Sequence, residues 1–273
     1  LAQQITENLG WSIVVDNRAG ANGMIGADNV AKSPADGYTL LLTDAAHATN
    51  PAVQPKMPFD ALKDFAPITL AGSSPQLLVA NPSFPANSLK EMLALPRGQV
   101  RGAGVGTTGP GSVAHLLLEW LKLKTGMDLV HVPYKGGGAA LLDAVGGQIP
   151  LVINSVPACM PHVEAKRLKV LAIASTARNP RLAEVQTFSE STPGIVGSAW
   201  YGVLAPAQTP PDVLKQVNSA LQKALESPNV KSKLAGAFID PMPPGPQAFT
   251  KFLGEEIARW RSIAQQTGIS ANG

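Results

Sequence analysis

Apolar residues recur along this chain in two rhythms, one near 3.6 residues and one in short continuous runs. Leu1, Ile5 and Leu9 stand at helical spacing, and Gly10 is a natural helix stop. Residues 11–15 (WSIVV) form an apolar run that predicts a strand, and the loop 17–23 (NRAGANG) leads into a helix over 24–31. Pro34-Ala35-Asp36-Gly37 is a turn signal. The run 38–43 (YTLLLT) predicts a strand buried on both faces of a parallel sheet. Residues 44–65 are irregular, and strand-like runs follow at 67–71 and 76–80. Ser88 with Glu91 three residues later predicts a capping box at a helix start.

From residue 100 the alternation sharpens. Strands are predicted at 100–105, 129–134, 149–153 and 168–174, with helices at 111–124, 139–145 and 157–165 between them. Another strand is predicted at 199–205, then helices over 212–226, from Ser227-Pro228, and from Gly245-Pro246 onward. The last helix carries Phe249, Phe252, Leu253, Ile257, Trp260 and Ile263 in one stripe. Strand–helix alternation with short glycine-rich links predicts an α/β fold. A chain that leaves one α/β unit, builds another and returns predicts two lobes with a cleft, each lobe a sheet flanked by helices. The boundaries drawn from the pattern are 1–99 plus 200–273 for lobe 1 and 100–199 for lobe 2.

Composition narrows the function classes. Of 273 residues, 45% are hydrophobic and 15% charged, which suits a folded chain. Net charge is +3, and the densest basic cluster is Lys166-Arg167-Leu168-Lys169, so nucleic acid finds no electrostatic footprint. No apolar stretch approaches the roughly 18–20 residues that span a bilayer. Cys159 is the only cysteine, which excludes an intrachain disulfide and a cysteine-based metal site. The sequence begins inside a helix without Met or a signal segment, so a preceding segment is expected.

Candidate chemistry is sparse. His47, His115, His131 and His162 lack metal-type spacing, and no nucleophile elbow or phosphate loop occurs. Gly104-Val105-Gly106-Thr107-Thr108-Gly109 fits the GxGxxG expression, which makes a nucleotide-dependent oxidoreductase or transferase the rival reading. Against it, Asp128 precedes the next strand instead of ending it. A Gly/Thr/Ser-rich turn at a helix start is also an anion site without formal charge. Thr107, Thr108 and Ser112 offer hydroxyls there, and His115 lies one turn on. Similar loops follow other strands: Lys135-Gly136-Gly137, Asn154-Ser155, and Thr43-Asp44-Ala45-Ala46-His47. In open α/β sheets ligands collect at the carboxyl ends of strands, which predicts these loops on one rim. Each has a plainer role too: Ser112 as a helix cap, Lys135 as a solvated lysine, Asn154 as a turn residue. No activated nucleophile or acid–base pair stands among them, which favours capture over chemistry.

Six segments in order then resemble one receptor family. They are 17–28 (NRAGANGMIGAD), 34–41 (PADGYTLL), 63–68 (KDFAPI), 130–136 (VHVPYKG), 204–210 (LAPAQTP), and the His-Leu pair at 115–116. The chain is similar to the solute receptors of tripartite tricarboxylate transporters, also called Bordetella uptake gene (Bug) receptors. The resemblance implies a periplasmic, two-lobed binding protein of the type II class, monomeric, without cofactor, metal or catalytic activity. It implies a small mono- or dicarboxylate ligand, an organic acid or acidic amino acid, delivered to a membrane permease or sensed by a histidine kinase. By matching segments the ligand loops are Thr43, Asp44, Ala45, Ala46 and His47 in lobe 1. In lobe 2 they are Gly106, Thr107, Thr108, Gly109, Ser112, His115, Lys135, Gly136, Gly137, Asn154 and Ser155. Trp200 and Tyr201 lie on the segment that returns to lobe 1. The family's opening strand and Pro/Gly-rich loop have no counterpart in this sequence, and Asn154 stands where many relatives carry an acid.

Overall fold

The computed structural model describes residues 1–270. Seven strands are β1 (Leu41–Asp44), β2 (Phe65–Ala80), β3 (Ala103–Thr107), β4 (Leu129–Pro133), β5 (Leu151–Ser155), β6 (Lys169–Ile173) and β7 (Ser198–Pro206). The helices before residue 110 are α1 (Ala2–Leu9), α2 (Met24–Ala31), α3 (Ala46–Val53), α4 (Leu89–Ala94) and α5 (Arg97–Val100). Next come α6 (Val113–Thr125), α7 (Gly137–Val145), α8 (Val156–Glu164) and α9 (Phe188–Ser191). The last three are α10 (Pro211–Glu226), α11 (Pro228–Gly236) and α12 (Pro246–Thr267). Backbone contacts divide the chain into two compact units. Unit 1 is Leu1–Ser73 with Trp200–Ser262, and unit 2 is Ser74–Ala199 with 263–270.

The first crossing therefore falls at Ser73/Ser74, not near residue 100, and 74–99 belong with unit 2. The cause is β2. Gly72-Ser73-Ser74-Pro75 looks like a turn between two strands, yet the backbone runs straight through it for 16 residues. A Cβ on Gly72 would stand 2.9 Å from the Asp240 carbonyl, and Ser73 and Asp240 exchange two backbone bonds of 2.8 Å there. Only glycine admits that approach, and the exchanged bonds keep the stretch extended.

In unit 1, β1 pairs antiparallel with β7, with Leu41 opposite Leu204 and Asp44 opposite Tyr201. The expected doubly buried parallel strand is thus a short antiparallel one, with Leu41 buried and Leu42 exposed. The run 11–15 forms no strand, and Val14 is 86% exposed. β-propensity needs a partner ladder, and no described strand lies alongside it. The core joins Ile5, Ile68, Val203, Val217 and Leu221 from α1, β2, β7 and α10. Phe249 and Trp260 of α12 are also fully buried. Each such side chain contributes about 1.5–3 kcal/mol of burial.

Unit 2 holds the strand order β4-β3-β5-β2, with β6 also on β2. β3 is parallel to β4 and to β5, whereas β2 runs antiparallel to β5 and β6. The parallel trio is covered by α6, α7 and α8, with Leu116, Leu117, Leu121, Leu141 and Val156 buried. Gly106 serves this packing, because a Cβ there would sit 2.6 Å from Ile149 Cδ1 and 3.1 Å from Ala140 Cβ. Ser88 and Ser227 cap α4 and α11 from the N–H groups of Glu91 (3.1 Å) and Val230 (3.3 Å). Glu91 reaches one residue further back than a capping box requires, accepting from Asn87 N–H at 2.7 Å.

Candidate functional site

Because β3, β4 and β5 run parallel, their carboxyl ends share one edge of unit 2 and feed α6, α7 and α8. The three helix starts differ. At α6 the orphan N–H groups are satisfied internally. Ser112 Oγ accepts from His115 N–H at 3.2 Å and donates to the Gly109 carbonyl at 2.7 Å. His115 Nδ1 accepts from Gly111 N–H at 3.1 Å. Thr107, fully buried, bonds His131 Nε2 at 2.7 Å and accepts from Gly109 N–H at 3.3 Å. The His115 and His131 rings stack at 3.8 Å, 10° from parallel. Burial first, then the His131 and Lys122 charges, lower His115 to about 4, so its ring is neutral and can accept.

Thr107 Oγ1, Ser112 Oγ and His115 Nδ1, in residues expected at the ligand, thus have partners within the protein. Their bonds fold the loop on itself, and Gly109 (φ +124°) lets it turn beneath the Tyr134 carbonyl. Thr108 is the exposed hydroxyl of this loop. The missed residue is His131, whose partnership with Thr107 and His115 depends on the β3–β4 register. The same geometry disfavours a nucleotide turn, since α6 begins only at Val113 and β4 ends on Pro133 without an acid.

At α7 and α8 the helix starts are open. α7 begins behind Gly136 (φ +107°) and α8 behind Ser155, and neither has a side-chain cap. Between them lies Asn154, 4% exposed. Its Oδ1 accepts from Ser155 N–H at 2.8 Å, which fixes the amide's orientation. Its Nδ2 has no partner. A Cβ on Gly137 would fall on that Nδ2, so the amide is seated against the first residue of α7. A buried amide donor without an acceptor costs about 1–3 kcal/mol, and two helix dipoles add positive potential nearby. Lys135 is exposed beside this place, and Tyr134 hydroxyl is tied to Asp143 at 2.7 Å. Cys159 donates weakly to the Asn154 carbonyl, and burial pushes its thiol up to about 12, so it is no thiolate.

In unit 1 the loop after β1 is split. Asp44 is exposed, and its Oδ1 accepts from Ala46 N–H at 2.8 Å. Ala45 is buried and Thr43 half-buried. His47 turns inward: its Nε2 bonds the Ala61 carbonyl at 2.9 Å, and its ring meets Phe65 edge-on at 4.9 Å. Burial holds it at about 4. Trp200 likewise lies in the core, edge-on to Phe249 and Phe252 at 5.7 and 5.5 Å. His47 and Trp200 are core residues, and Tyr201 is the half-buried ring opposite Asp44. A cavity of about 480 Å³ in this unit, lined by Pro51, Met57, Phe59, Ile257 and Arg261 among others, contains none of the expected ligand residues.

Among the described residues no group of His, Cys, Asp and Glu is placed to hold a metal, and no helix is long and apolar enough to cross a membrane. Residues 1–269 match the tripartite tricarboxylate transporter family receptor. The chain belongs to this family. It is 36% identical to protein BugT of Bordetella pertussis over 271 residues, covering 98% of this chain and 83% of BugT. Among solved structures it resembles R. palustris Rpa4515 with adipate, with 35% identity, TM-score 0.91, and coverage of 98% and 91% of the two chains. It also resembles MatC of Rhodopseudomonas palustris with bound malate, with 30% identity, TM-score 0.86, and coverage of 96% and 91%. As a member of this family, the protein is a solute-binding receptor and not an enzyme. That answers the nucleotide-enzyme reading, which gains no support.

Proposed function

We propose that this receptor captures a small mono- or dicarboxylate, an organic acid or acidic amino acid, in the periplasm and passes it, as a monomer, to a tripartite tricarboxylate-type permease. The observation that carries the reading is the unpartnered Asn154 Nδ2 seated between two uncapped helix starts. A carboxylate oxygen is the acceptor such a donor lacks, and the α7 and α8 dipoles favour its charge without a counter-ion. The backbone N–H groups of Gly136 and Gly137, with Ser155, Thr108 and Lys135, complete the proposed contacts on unit 2. Adipate and malate bound to the two structural relatives support a carboxylate as the ligand class.

Isothermal titration of the protein with adipate, malate, succinate, glutarate, aspartate and glutamate tests the proposal. Saturable binding of at least one acid is expected, weakened about tenfold or more by Asn154→Ala, since a hydrogen bond to a charged group is lost. Folded protein that binds none of them would overturn it.

A further inference from the structure

The chain from the end of β4 into α7 reads Tyr134-Lys135-Gly136-Gly137-Gly138. Glycine loses more backbone freedom on ordering than any other residue and is the poorest helix former after proline. Gly136 holds φ +107°, no side chain caps the helix, and Gly136, Gly138 and Ala139 are exposed. Burial begins only at Ala140 and Leu141. Left to its own propensity this first turn would fray, and with it the N–H groups of Gly136 and Gly137 assigned to the carboxylate.

Tyr134 restrains the turn from both ends. Its N–H donates to the Thr107 carbonyl at 3.2 Å, which carries the β3–β4 pairing one residue past Pro133. Its hydroxyl reaches across the glycines and donates to Asp143 Oδ2 at 2.7 Å, in the last turn of α7. One residue thus ties the end of β4 to the body of α7, and the glycines span the gap between. An acid in the last turn opposes the helix dipole, so the helix itself gives Asp143 no reason to be there.

We propose that Tyr134 is a positioning residue for the ligand. Its bond to Asp143 pins the glycine turn, so that the α7 N–H groups, and the Asn154 amide seated against Gly137, are in place before the acid arrives. Tyr134 acts through the turn and does not itself contact the carboxylate. The inference rests on the carboxylate-receptor reading above and concerns unit 2 alone.

Hydrogen exchange and titration calorimetry test it together, on wild type, Tyr134→Phe, Asp143→Ala, the double variant and Asp143→Asn. In ligand-free Tyr134→Phe the amides of Ala140 and Leu141, which bond back to the first turn, should exchange about tenfold faster, while those of β3 and β5 keep their rate. The acids for titration are adipate, malate, succinate, glutarate, aspartate and glutamate. Affinity for the tightest of them should fall about fivefold or more in Tyr134→Phe and in Asp143→Ala, since the acid must now order the turn. The double variant should lose no more than either single one, and Asp143→Asn, which keeps an acceptor oxygen, should stay within about twofold of wild type. Single variants that bind like wild type, losses that add in the double variant, or an Asp143→Asn as weak as Asp143→Ala would overturn the inference and leave the receptor standing. Faster exchange with unchanged affinity would do the same, because the bond would then serve folding alone. Folded wild-type protein that binds none of the acids would remove the receptor reading, and this inference with it.

Discussion

The Nδ2 atom of Asn154 occupies the place where a side chain on Gly137 would begin. The two residues, 17 positions apart, thereby form one unit at the start of α7. Gly137→Ala gains about 1 kcal/mol of helix propensity, which offsets much of the cost of moving the amide. Stability should therefore change little, by less than about 1 kcal/mol in urea unfolding. Affinity should fall about tenfold or more, because Asn154 must leave the bond from Ser155 N–H and lose its aim. Loss of stability without loss of affinity would show that Asn154 only fills space.

Thr107 and Ser112 should act on folding. Thr107→Val keeps the shape but strands His131 Nε2, and Ser112→Ala uncaps α6. About 1–3 kcal/mol and 0.5–2 kcal/mol of stability should be lost, respectively. Titration with the best-bound carboxylate should move less than threefold in either variant.

Two buried neutral histidines make stability depend on pH. His47 and His115 are lowered from 6.5 to about 4 in the folded protein. The unfolded chain therefore binds more protons between those values, and folding weakens as pH falls through that window. Stability should be full above about pH 6.5 and decline toward pH 4, with each histidine contributing roughly 3 kcal/mol. Urea unfolding at pH 7 and pH 4.5 measures the slope. His47→Phe, which keeps the ring among Phe59 and Phe65, should flatten it.

Cys159 should be inert. Its thiol is fully buried and pushed up to about 12 by that burial. A chromogenic disulfide reagent should react with it at the rate of global unfolding, and at once in 6 M guanidinium. Fast reaction of the native protein would place the thiol outside the core.

The apolar rhythm decided most elements. The βα units from residue 103 to 173, the stripe of α12 and the caps Ser88, Ser112 and Ser227 follow from local spacing and capping chemistry, which act within a few residues. The run of matching segments decided the family in the same way. What spacing does not carry is partnership across the fold. Whether 11–15 is a strand depends on a neighbour to pair with, and whether Gly72 marks a turn depends on Asp240 lying against it. Thr107 and Ser112 are polar loop residues in the sequence, yet only the register beside β4 and the turn at Gly109 show that their hydroxyls are used inside. Asn154 is the reverse case: a turn residue by composition, it becomes a directed donor because Ser155 N–H holds one end of its amide and Gly137 leaves room for the other. Local chemistry sets which groups a loop contains, and only packing decides which of them remain without a partner.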